Sequence, residues 1–111
     1  MKIHTTLSPD HWFKFSLVQQ LANVGCDVER AIQWKKKKNP EYSQKALERA
    51  LELIDLTVAD PKNRKRLKEI LRTREALVDF FMYDNQYNST DELWQKYFFA
   101  FNYAAALERG L

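Results

Sequence analysis

Glycine and proline are scarce: among 111 residues there are 2 Gly and 3 Pro. So few breakers leave little room for the tight turns of a many-stranded sheet. The plentiful Ala, Leu, Glu, Lys, Arg and Gln favour helices instead. A single cysteine, Cys26, excludes an internal disulfide and a cysteine-based zinc site. The 2 histidines, His4 and His11, both stand near the N-terminus, and neither the HExxH nor the Glu-x-x-His metal pattern occurs. There is no glycine-rich phosphate loop. These absences set the expectation of no metal, no cofactor and no catalytic residue. No stretch approaches the ~18 uncharged apolar residues of a membrane span. The start, MKIHTTLSPDHW, lacks the apolar run of a signal peptide. A cytoplasmic protein without a membrane partner is the expectation.

What is present describes one domain over residues 1–111. A chain of this length buries roughly two-thirds of its unfolded surface, enough for a core without staples. The net charge of +3 permits an anionic partner without demanding one.

Four helices are readable in order, after an extended lead-in at Met1–Leu7. Ser8 as cap, Pro9 at the first position and Asp10 in the first turn open a helix expected to run to about Lys38. Its apolar stripe is Leu17, Val18, Leu21, Val24, Val28 and Ile32. Gly25 interrupts it, which marks a close helix–helix approach or a kink. Cys26 is expected to pack as a small hydrophobe. Asn39 and Pro40 stop the helix after a lysine run. The second helix spans Pro40 to Ala59 and turns Ala46, Leu47, Ala50, Leu53, Ile54, Thr57 and Val58 inward. The third has Asp60 as N-cap and Pro61 at its first position, and runs to Tyr83. Its stripe is Leu67, Ile70, Leu71, Leu77, Val78 and Phe81. Ser89 and Glu92 read as a capping box for the fourth, Thr90 to Arg109, with Gly110 past its end. Trp94, Tyr97, Phe98, Phe101, Ala104 and Ala105 form its inner face. Short loops between four such helices predict an all-α, antiparallel (up-and-down) four-helix bundle.

Arg74 falls inside the apolar stripe of the third helix, where a core residue belongs. A buried guanidinium needs a carboxylate. Glu29, bordering the stripe of the first helix, is the expected partner. Lys62, Arg64, Lys65 and Arg66 crowd the start of the third helix, against its dipole. They are a candidate anion-binding group, with pairing to neighbouring acids as the alternative. Phe99 and Tyr103 fall outside the inner face of the fourth helix, which is therefore apolar nearly all round. Such a helix is central or is covered by a second chain. That makes Phe99 and Tyr103 candidate interface residues and a homodimer the expected assembly.

The segment Arg74-Glu75-Ala76-Leu77-Val78-Asp79-Phe80-Phe81 resembles the helical signature of HEPN-type bundles. These are small helical proteins, often encoded beside a minimal nucleotidyltransferase. Arg74 falls on the family's Arg, Leu77 and Val78 on its apolar pair, and Phe81 on its aromatic. Glu75 replaces a polar residue, often Asn, and Asp79 stands at the family's His. The resemblance implies a four-helix up-and-down core and a nucleotidyltransferase as protein partner. It also implies loss of the nuclease that active members build from Arg and His, because a carboxylate does not match imidazole near neutral pH.

The leading expectation is thus a non-catalytic interaction protein. One alternative is an RNase or toxin of the HEPN type that uses Arg74. Another is a nucleic-acid binder using two basic patches, Lys35–Lys38 and Arg64–Lys68, which would have to share one face.

Overall fold

The computed structural model describes residues 8–110. The expected lead-in at Met1–Leu7, including His4, lies outside the described residues. The chain is all-α. Its elements are α1 (Pro9–Trp12), α2 (Leu17–Lys36), α3 (Pro40–Ala59), a 3-10 segment (Pro61–Arg66), α4 (Leu67–Met82) and α5 (Asp91–Glu108).

The expected first helix is two helices. Ser8 caps α1 through the His11 N–H, and α1 ends at Trp12. Ser16 then opens α2 with a reciprocal capping box. The Gln19 N–H donates to Ser16 Oγ at 3.1 Å, and the Ser16 N–H donates to Gln19 Oε1 at 2.9 Å. This box satisfies free N–H groups that an uninterrupted helix would have paired internally. From Ser16 onward α2 is continuous through Gly25. A Cβ built on Gly25 would stand 2.7 Å from Phe98 Cβ, so the glycine marks a close approach of α2 and α5 and not a kink.

The expected third helix starts late. Asp60 caps Lys62, as the sequence suggests, but the turn from Pro61 to Arg66 is 3-10. A buried polar knot fixes it there. Asn63 Nδ2 donates to the Thr57 carbonyl at 3.0 Å and to Gln20 Oε1 at 2.9 Å. Gln20 Nε2 donates to Asp60 Oδ2 at 2.9 Å and to the Trp12 carbonyl at 3.1 Å. Trp12 Nε1 donates to Thr57 Oγ1 at 3.1 Å. Every member has a partner, so the knot ties α1, α2, α3 and the 3-10 segment without an unpaired buried group.

The start of α5 also differs. Thr90, not Ser89, is its N-cap and accepts from the Leu93 N–H at 3.0 Å. Ser89 is held instead by Asn85, which bonds its N–H and its carbonyl.

α2 lies at the centre, packed on α3 along one side and on α5 along the other, and α4 packs on α3. Val24, Val28, Ile54, Ile70, Leu77 and Phe98 meet in one core cluster drawn from all four long helices. Each such side chain stabilises the fold by about 1.5–3 kcal/mol when fully buried. The α4 and α5 backbones make no comparably close approach, and the large side chains Trp94 and Tyr97 line the space between them. No helix among the described residues is long and apolar enough to cross a membrane.

Candidate functional site

α4 is rotated from the register that its stripe predicts. Its buried residues are Ile70, Thr73 and Leu77, while Leu71 is 46% exposed. Arg74 therefore sits at the margin of the core. Its partner is Asp55 of α3 and not Glu29. Nε donates at 2.8 Å, with the side chains 36% and 58% exposed. Glu29 is on the α2–α5 side, where it accepts from Gln33 at 2.6 Å and from Gln95 at 3.4 Å.

Asp79 has a separate task. Its two oxygens accept from the backbone N–H groups of Gln86 and Tyr87, at 2.9 and 3.0 Å. This folds the 83–90 loop back over α4. The Tyr87 hydroxyl donates to Glu75, and that bond raises the phenol above its ordinary pKa. Arg74, Glu75 and Asp79 line one open cleft of about 830 Å³ beside this loop, but each is committed to a different partner.

On the other flank of α4 a second cleft of about 720 Å³ opens toward α5. Tyr97 spans it. Its hydroxyl shares a 3.1 Å hydrogen bond with Thr73 and donates to Glu69 at 3.3 Å. Burial raises the Tyr97 phenol above its ordinary pKa and the Glu69 charge adds to the rise, against the lowering hydrogen bond with Thr73.

The outer face of α5 is bare. Phe99 is 66% exposed and Tyr103 55%, their rings stacked with centroids 6.5 Å apart, and Leu107 continues the stripe. Beside Phe99 lies a hollow of about 340 Å³ whose walls include Gly25, Glu29 and Asn102.

The candidate anion-binding residues are partly paired with acids. Lys62 is bound by Asp60 and by the Phe13 carbonyl, and Arg66 pairs with Glu69 at 2.7 Å. Arg64 and Lys65 are exposed. Lys35 pairs with Asp91 at 2.7 Å and stands 4.2 Å over the Phe80 ring, at the far end of α4 from Lys68. The Lys35–Lys38 and Arg64–Lys68 patches thus lie at opposite ends of that helix, roughly 20 Å apart at 1.5 Å per residue. Cys26, expected inside, is exposed on α2, and His11 is exposed against the edge of Phe15. Among the described residues no three His, Cys, Asp or Glu side chains gather as a metal site.

These features define an all-α protein with a shared helical core, two clefts flanking α4 and an uncovered apolar stripe on α5. Comparison with known proteins finds no matching family model, no matching curated protein and no matching solved structure.

Proposed function

We propose that the chain is a cytoplasmic, non-catalytic interaction protein, an up-and-down four-helix bundle preceded by the short α1, and that its first partner is a second copy of itself. The observation that carries this reading is the Phe99–Tyr103–Leu107 stripe. Exposed aromatic residues in a contiguous row are costly in water and account for much of the energy at protein interfaces. The surroundings favour a copy of the same chain. A two-fold contact uses one patch twice, and this patch holds both a protruding ring, Phe99, and the hollow beside it.

A nucleotidyltransferase as a further partner follows from the HEPN-type resemblance alone. The RNase reading has less support, because Arg74 and Asp79 spend their bonding groups on Asp55 and on the loop. Nucleic-acid binding through both basic patches has less support too, since they lie at opposite ends of α4.

Light scattering on variants tests the reading. Phe99→Glu is expected to give a folded, soluble monomer, while Leu71→Glu, at another exposed apolar position, leaves the native assembly intact. Native mass retained in Phe99→Glu would remove α5 as the interface.

A further inference from the structure

We propose that the cleft between α4 and α5 binds a small, flat aromatic molecule carrying an oxyanion, an aryl carboxylate or an aryl phosphate. Its volume of about 720 Å³ lies inside the range typical of small-molecule sites, about 300–1,000 Å³. The apolar part of the lining comes from Leu93, Trp94 and Tyr97 of α5 and from Ala76 of α4, whose short side chain leaves the space between the helices open. Aromatic walls of this kind suit a flat ring, which stacks in offset or edge-on geometry.

The charge of the lining points to an anion. Lys68 and Arg72 of α4 and Lys96 of α5 belong to it, and none has an ion-pair partner among the described residues. Glu69, the one carboxylate in the lining, is already neutralised by Arg66, with bonds of 2.9 and 2.7 Å, and receives the Tyr97 hydroxyl. Lys68 and Arg72 are one turn apart on α4, an arrangement in which like charges repel. A bound oxyanion relieves that repulsion and forms charge-assisted hydrogen bonds.

A third observation is independent of both. Trp94 is nine-tenths buried, and its indole N–H is the one buried side-chain donor among the described residues that has no acceptor. A buried donor without a partner costs free energy, which an acceptor on a ligand recovers once the Trp94 ring turns its N–H toward the cleft. A neutral aromatic ligand leaves the three cations unused, and inorganic phosphate leaves the apolar wall bare. The combination selects a molecule with both parts. None of this depends on self-association through α5.

Amide and indole NMR titration of the full chain is the test. The probes are 2-naphthoate and 1-naphthyl phosphate, with 2-naphthalenemethanol and inorganic phosphate as partial mimics. Saturable shifts are expected at the Trp94 indole N–H and at the Thr73 and Ala76 amides. The tighter of the two naphthyl anions identifies the oxyanion. Each partial mimic should bind roughly tenfold more weakly or worse, the equivalent of one charge-assisted contact. Lys68→Gln with Arg72→Gln should weaken the naphthyl anions by a similar factor and leave 2-naphthalenemethanol unchanged. Both side chains are on the surface, so the variant spectrum should remain native. Leu93→Gln supplies a second variant, in which both the anions and the neutral probe should weaken. The proposal is overturned by shifts confined to Phe99 and Tyr103, by no saturation at the cleft, or by equal affinity in native and variant proteins.

Discussion

Arg74 and Asp79 stand on the same helix, yet they differ in what their loss removes. Arg74 shares a half-exposed ion pair with Asp55, and pairs of that kind contribute about 0–1 kcal/mol. Asp79 holds two backbone N–H groups of the following loop. Hydrogen bonds to a charged acceptor contribute about 1.5–3 kcal/mol each when sheltered, less where water replaces them. Urea denaturation should therefore find Asp79→Ala more destabilised than Arg74→Ala, with Arg74→Ala within about 1 kcal/mol of the native chain. The opposite order would contradict the assignment. The large loss expected for a buried arginine does not apply, because α4 turns Thr73 and not Arg74 into the core. Asp60 is a third case. Burial raises its carboxyl, but the bonds from Lys62 and Gln20 outweigh burial and hold it below the ordinary value. A carboxyl lowered on folding adds stability that is complete above its unfolded pKa of about 3.9 and is lost as pH falls through the lowered folded value. Acid unfolding followed by circular dichroism should be steeper below about pH 4 for the native chain than for Asp60→Asn. Equal slopes would show that Asp60 is not a source of the acid sensitivity.

At the scale of elements, Gly25 decides how closely α2 and α5 approach. Gly25→Ala gains about 1 kcal/mol of helix propensity. It also forces a new Cβ to within 2.7 Å of Phe98 Cβ, an atom that no side-chain rotation moves away. Overpacking of this sort costs about 1–3 kcal/mol. Thermal melting is therefore expected to show Gly25→Ala less stable than the native chain, and a higher melting temperature would contradict the close approach. Helix type was legible wherever a long apolar period ran undisturbed. α3 carries the bounds that its pattern predicts and buries the predicted inward residues apart from the half-buried Val58, and Trp94, Phe98 and Ala105 face inward on α5. Boundaries failed where side chains compete with the backbone. Ser16 and Gln19 form a capping box that could be read from S-x-x-Q, yet the Ser8-Pro9 start masked it. The 3-10 turn follows from Asn63 joining Thr57 and Gln20, contacts distant in sequence that no local pattern records. The rotation of α4 was hidden for a related reason. Thr73 and Tyr97 share a hydrogen bond that admits threonine to the core in place of a leucine.

For the whole molecule, the candidate surfaces arise from how the helices are arranged around α2. α3 and α5 take its two sides, and α4 is held through α3. The α4–α5 cleft therefore remains open, and no single helix pattern announces it. The stripe on α5 is different: Phe99 and Tyr103 were readable as surplus apolar residues, and both are exposed. In the proposed assembly this stripe joins two copies of the chain. Sedimentation equilibrium of the unmodified protein from low to high micromolar concentration measures it most directly. A reversible rise toward twice the chain mass of 13.2 kDa is expected, and it should be abolished in Phe99→Glu. A mass that stays at 13.2 kDa across the whole range would contradict it.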